Sequence, residues 1–300
     1  MLDKDQFETI GNGLLVRAPA KINLSLLIAG KRHDGYHEIE TIMAKVNWFD
    51  EILIQQSQKP GIELVCEGAY WAPEGRENLI YQACELLLDN CHLHADIKIT
   101  LTKNIPAGSG LGSASSDAAA TLLGIKKFLQ LAVTRPQLKK MAAALGSDVA
   151  FFLDGPLAFC TGRGEKIKKL DEIFNFLAIL ILPDVSISTK KVYANYKHDS
   201  ALYERLSARI NGYIQKNRID LVSKMCANML ETSCFSLYKG LAELKTKIEL
   251  SGVKPLCLSG SGSTIFCVIG NTDMEKAGKY QHKLEDNSGC KSIIVSNIRW

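Results

Sequence analysis

The chain has 300 residues, of which 46% are apolar and 23% charged, and a formal net charge of +4. This is ordinary globular composition, which excludes a disordered chain, and the longest apolar runs, such as Phe176 to Leu182, are far too short for a membrane span. No basic run exceeds a pair of residues, so nucleic acid is not implied as a partner, although a small anionic ligand is allowed.

Domains cluster at roughly 100 to 150 residues, so two are expected here. The opening "MLDKDQFETIGNG" carries acids and no apolar stretch, unlike a signal or transit peptide. Strand-like alternation follows in Gly13 to Ile28, Glu51 to Ser57, Gly61 to Glu67 and Ala95 to Asn104. A helix is expected over Asn78 to Cys91. Just beyond it, Cys91, His92 and His94 lie close together, but without a fourth ligand at usable spacing they read as a polar loop. A second helix is expected from near Ser115, and a third over Arg135 to Leu145, with Thr134 as N-cap, Pro136 in the first turn and Gly146 as the stop. From about Thr161 the composition changes. Phe174 to Thr189 reads as a buried strand leaving into a loop, Lys190 to Leu250 as mostly helical, and Lys254 to Gly270 as strand, tight turn, strand. A boundary near residue 160 is expected, and the segregation of strands from helices indicates an α+β fold. Nine cysteines scattered from Cys66 to Cys290 without a C-x-x-C resemble neither a disulfide framework nor a zinc ribbon, and point to a reducing cytosol.

The stretch "PAGSGLGSASSDAAATLLG", Pro106 to Gly124, is the densest signal. Gly108, Gly110 and Gly112 let backbone amides converge, Ser115 and Ser116 are placed to cap the helix, and the helix dipole adds positive charge, so the segment reads as a phosphate cradle. A flexible linker would not need an apolar strand ending at Ile105 and an alanine-rich helix starting at once. The two common phosphate loops do not fit: no lysine follows the glycines as a Walker A loop requires, and Ser113 stands where a dinucleotide fingerprint needs glycine. A second turn, Ser259 to Thr264, again sets glycines between strands, although a plain hairpin explains it equally well.

Phosphoryl transfer also needs charge placement and a proton acceptor. In "PAKINLSLLI" the alternation puts Lys21, Asn23 and Ser25 on one face, where a lone lysine is ordinarily a solvated edge residue. Asp148 follows the stop at Gly146 and enters the apolar "VAFFL", so it either caps a short helix or finds a partner.

"PAKINLSL", "PAGSGLGSASSDAA" and "LSGSGSTIF", in this order and separation, resemble the three motifs of the GHMP kinase superfamily across nearly the whole chain. The resemblance implies a two-domain kinase fold, with an ATP-binding domain over 1–160, a C-terminal domain over 161–300 and the active site in the cleft between them. It implies ATP as co-substrate, Mg²⁺, and a small-molecule alcohol as acceptor. "GKRHDGYHEIET", "LGSDVAFFL" and "PDVSISTKKVY" are similar to the branch whose alcohol carries a cytidine diphosphate group. On that basis Lys21 and Asp148 form the catalytic pair. The phosphates of ATP lie over Pro106, Ala107, Gly108, Ser109, Gly110, Leu111, Gly112, Ser113, Ala114, Ser115 and Ser116, with adenine near Asn78 and Lys103. The cytidine end stacks between Tyr36 and Tyr193, His37 and Thr189 bond nearby, and Asn23, Gly260 and Ser261 also meet the substrate. Ser115 or Ser116 offers a hydroxyl to the metal. Ser109, Ser113 and Ala114 replace the small or glycine residues usual in relatives. Ser113 and Ala114 are expected in helical or extended space, free of strain. Gly35 between His33 and His37 indicates a turn, not a helical metal pair. The sequence carries no signal for oligomeric state.

Overall fold

The computed structural model describes residues 5–170, 174–270 and 273–300. Strand β1 (Phe7–Ile10) turns tightly into β2 (Gly13–Lys31), which pairs antiparallel with β3 (His37–Gln56) along its whole length, from Leu14 opposite Ile54 to Lys31 opposite His37. Register shifts at Pro19/Ala20, Asn23/Ser25 and Ile28/Gly30 bend this ribbon, so that its two halves serve different cores. β4 (Ile62–Gly68), α1 (Leu79–Asn90) and β5 (Ile97–Lys103) follow, with β5 antiparallel to β3 and parallel to β4. Then come α2 (Ser113–Phe128), α3 (Arg135–Leu145) and α4 (Val149–Leu153), before β6 (Leu157–Gly162) and β7 (Lys166–Lys169) extend the sheet from the other half of β3.

β8 (Phe176–Leu182) opens a second sheet, and α5 (Thr189–Ala194), α6 (Ser200–Gln215) and α7 (Ile219–Met225) follow it. β9 (Ala227–Asn228) returns to pair parallel with β2 at Ser25 and Leu26. After α8 (Glu231–Leu237) and α9 (Lys239–Leu250), β10 (Cys257–Leu258), β11 (Ile265–Gly270), α10 (Met274–Ser288) and β12 (Lys291–Ser296) complete an antiparallel sheet of order β10-β11-β8-β12.

The local signals account for the expected helices. Asn78 Oδ1 accepts the Ile80 amide at 2.9 Å and starts α1. Gln137 Oε1 accepts the Thr134 amide at 2.8 Å, and α3 runs from there to Gly146 with Leu138, Met141 and Ala142 turned inward.

Four expectations need correction. The division at residue 160 falls inside β6, which is hydrogen-bonded to β3, so the first sheet extends to Lys169. Moreover Ala20, Ile22, Leu24 and Ile28 of β2, with Ile39, Ile42, Ala44 and Val46 of β3, pack in the second core, so the two units share their longest strands. β3 begins at His37, well before Glu51, because strand residues covered on both faces lose the alternation that marks a half-buried strand. For the same reason Lys21 is no edge residue: every position from Val16 to Ile28 is buried. Finally, Cys226 and Cys257 form a disulfide tying the end of α7 to β10, a pairing that their separation of 31 residues does not reveal.

Candidate active site

Between β5 and α2 the chain alternates. Gly108, Gly110 and Gly112, at φ 69°, 82° and 70°, line a cavity of about 980 Å³, whereas Ser109 and Leu111 turn into the protein. Gly110 is obligatory, since a Cβ there would fall 2.2 Å from the carbonyl oxygen of Ser259. The second glycine turn is a hairpin turn and also a brace: Ser259 Oγ donates to Gly110 O at 2.8 Å, and the Thr264 amide donates to Ser109 O at 3.0 Å. Gly110→Ala is expected to lower Tm by about 5 °C and raise the ATP KM about tenfold through strain and separation of the two turns. Unchanged melting and kinetics would show that the turns do not pack this way.

Helix α2 starts at Ser113, two residues before the expected position, with Gly112 as N-cap and no side chain capping its first turn. Ser115 and Ser116 therefore lie inside the helix and are not caps. Ser113, Ala114 and Ser115 border the cavity, which puts the positive end of a 16-residue helix dipole beside the glycine loop. Ser113 and Ala114 are helical, as expected. Ser116 is fully buried, so of the two serines only Ser115 reaches the cavity. Pro106 and Ala107 lie outside the cavity wall.

Lys21 is 3% exposed, and its backbone amide donates to Leu111 O at 2.9 Å, joining β2 to the loop. Its Nζ donates to Asn23 Oδ1 at 2.5 Å and to Gly110 O at 2.7 Å, and lies 3.9 Å from Asp148 Oδ2. Three ammonium hydrogens thus face three acceptors. Burial pulls the Lys21 pKa down, while Asp148 and then Cys160 oppose that pull. Asp148 occupies the N-cap position of α4 but its side chain caps nothing, and it is one-third exposed into the cavity. It is the partnered carboxylate, not the cap. Asn23 lines the cavity, and its amide accepts from Lys21 and, through Nδ2, donates to Thr41 Oγ1 at 2.8 Å, so it orients the lysine.

The far end of the cavity is aromatic. Tyr36, His37, Thr189 and Tyr193 line it, while Gly260 and Ser261, from the turn after β10, line the cavity nearer Lys21. The ring next to Tyr193 is His37, with centroids 5.3 Å apart, whereas the 57%-exposed Tyr36 has the Arg163 guanidinium 4.9 Å from its centroid. Burial, and secondarily Asp148, pushes the Tyr193 phenol up, which places this ring within the field of that carboxylate. Burial, then Lys31 and His198, pulls the His37 imidazole down. Thr189 and Ser261 share a hydroxyl hydrogen bond of 2.8 Å. Gly35, at φ 84°, makes the turn before His37.

Asn78 and Lys103, beside which the resemblance sets adenine, do not line this cavity, and their side chains are engaged within the protein. Lys103 is 2% exposed and sits between Asp50 and Asp117, with Asp117 Oδ2 at 2.6 Å, and it also donates to Ser113 Oγ. Asp50 Oδ1 accepts the amides of Asn104 and Ile105 at 2.6 and 2.8 Å. The cluster therefore clamps the strand entering the glycine loop to the helix leaving it. Burial opposes charge on Lys103, but Asp117 and Asp50 together outweigh it and hold the ammonium above its usual range. Burial pushes Asp117 well up. Asn78 spends its side chain on Ile80 and on Pro73 O, at 2.8 Å, so neither residue presents a free group to a base.

Residues 78–156 match the family model described as the GHMP kinases N terminal domain, and residues 210–285 match the GHMP kinases C terminal model. A protein of Bacillus cytotoxicus named 4-diphosphocytidyl-2-C-methyl-D-erythritol kinase is 36% identical over 256 residues, covering 85% of this chain and 88% of that protein. One of the same name from Bacillus cereus is 37% identical over 259 residues, with the same coverage. Among solved structures, a 4-(cytidine 5'-diphospho)-2C-methyl-D-erythritol kinase superposes with a TM-score of 0.73 at 28% identity, over 95% of this chain and all of that one. A homoserine kinase from Cytophaga hutchinsonii gives a TM-score of 0.74 at 20% identity, over 99% and 98%. The backbone is thus shared by kinases of different acceptors, and the side chains carry the distinction.

Proposed function

We propose a reaction from the premise that the chain belongs to the GHMP kinase family and, within it, to the 4-diphosphocytidyl-2-C-methyl-D-erythritol kinases: it transfers the γ-phosphoryl group of ATP to the 2-hydroxyl of 4-diphosphocytidyl-2-C-methyl-D-erythritol, in the non-mevalonate route to isoprenoid precursors. The observation that carries this reading is a single cavity holding a bare-amide loop, the Lys21–Asp148 pair and an aromatic far end.

Asp148 takes the proton of the acceptor hydroxyl as the new O–P bond forms and the bond to the departing ADP oxygen breaks. Lys21 pairs with that carboxylate, and its hold on Gly110 O fixes the loop against the reacting groups. Loop amides and the start of α2 receive the phosphates. Among the described residues, no cluster of three or more His, Cys, Asp or Glu could hold a metal. That donor set fits an ion carried chiefly by phosphate oxygens and water, with Ser115 the hydroxyl on the wall. Mg²⁺ bound this way would neutralise charge on the triphosphate. Tyr193 and His37 would bind the cytosine, with Tyr36 at its outer side. Among the described residues no helix is long and apolar enough to cross a membrane, and cytosolic placement belongs to this proposal.

Tyr193→Ala is expected to raise the KM for the cytidine substrate about tenfold or more, the range of one lost base–aromatic contact, with the ATP KM within about twofold. An effect confined to ATP would overturn the base assignment. The function itself is tested by comparing kcat/KM for 4-diphosphocytidyl-2-C-methyl-D-erythritol, homoserine and mevalonate with ATP. A preference for the cytidine compound of about a thousandfold or more is expected. Equal or better use of another alcohol would refute it.

A further inference from the structure

Three cations on the cavity wall have no role in the reaction described above: Lys31, Arg163 and Lys190. The wall also carries two carboxylates, and each has its own partner, Asp34 with Arg32 at 3.1 Å and Asp148 with Lys21. Lys31, Arg163 and Lys190 have no described carboxylate within 4 Å, although Arg163 lies close enough to Asp34 to add to Arg32's pull on it. Like charges gathered around one concave wall repel, and a bound anion relieves that repulsion.

Their positions are specific. Arg163 stands over Tyr36, and the next residue, Gly164, lies so close to the catalytic carboxylate that a Cβ there would be 3.4 Å from Asp148 Oδ1. Lys190 follows Thr189, whose hydroxyl bonds Ser261, while a Cβ on the adjacent Gly260 would lie 3.5 Å from Lys21 Nζ. Lys31 ends β2 in register with His37. The cations therefore span the stretch from the ring cluster to the reacting pair, on the acceptor's side of the cavity. The donor's phosphates already have the glycine loop and α2.

Building on the proposed function, we infer that Arg163 and Lys190, with Lys31 at the mouth, hold the diphosphate that joins base to alcohol in the acceptor, making the cavity selective for an acceptor with a dianionic linker. The planar guanidinium of Arg163 suits two phosphate oxygens at once, and the ammonium groups act as point charges beside it. No spacing in the sequence announces the set, because its members come from the end of β2, the β6–β7 turn and the first turn of α5.

The test is a comparison of Kd values for CDP and for cytidine by calorimetry, on the full chain saturated with a non-hydrolysable ATP analogue. For the parent protein CDP is expected to bind at least about thirtyfold tighter than cytidine. In Arg163→Ala/Lys190→Ala that ratio should fall at least about tenfold, with cytidine and the ATP analogue each shifting far less. Added salt should erode the CDP advantage in the parent and hardly at all in the variant. Lys190→Ala alone, at an exposed position, should lower the ratio by a smaller factor. An unchanged ratio would overturn the assignment, and so would a loss confined to the ATP analogue, which would give the cations to the donor nucleotide. If the parent binds neither cytidine nor CDP, the cytidine reading falls too, an outcome distinct from normal CDP binding that ignores the cations.

Discussion

Asp148→Asn should lower kcat by about a thousandfold or more while the Kd of ATP stays within a few-fold, because the amide preserves shape but cannot accept the hydroxyl proton. The substitution has a second consequence. Asp148 is the largest influence opposing the effect of burial on Lys21, so its loss lets the lysine pKa fall further. The ammonium would then lose its proton at lower pH, and the alkaline limb of the residual pH–rate profile should move downward. Rapid-quench single turnovers across pH, with analogue titration for binding, check both effects. Activity within about tenfold of the parent would remove Asp148 from the base role.

Lys103→Met should be the most destabilising change near the site. It leaves Asp50 and Asp117 buried without their shared cation, a loss of about 3 to 5 kcal/mol for breaking one side of a buried ionic cluster, and Tm should fall by roughly 10 °C. Adding Asp117→Asn should recover part of the loss, since one of the stranded charges is then gone. Urea denaturation of the single and double variants measures this. Unchanged stability with a selective loss of ATP affinity would instead make Lys103 a base contact, as the family resemblance implied.

These two residues also mark what the sequence could tell. Gly108 to Gly112, Lys21 and Asp148 were legible because each belongs to a local pattern: strand into glycine loop into helix, an alternating strand, a carboxylate after a helix stop. Their convergence is a tertiary fact, made by a loop whose Gly110 carbonyl accepts from both Lys21 and Ser259. The buried cluster around Lys103 was not legible because its partners lie 53 and 14 residues away, Asp50 on a strand whose first half showed no alternation. The same loss of alternation hid the shared core of β2 and β3, and with it the true limit of the first sheet. The three cations of the wall left no trace in spacing, since only the folded cavity brings them together.

The most direct measurement is phosphorus NMR of the product formed from equimolar ATP and 4-diphosphocytidyl-2-C-methyl-D-erythritol. If the loop, the lysine and the carboxylate act as described, one new phosphomonoester signal should appear beside an intact diphosphate pair, with ADP in equal amount. Inorganic phosphate and ADP alone, or a lengthened polyphosphate chain, would mean that the alcohol is not the acceptor.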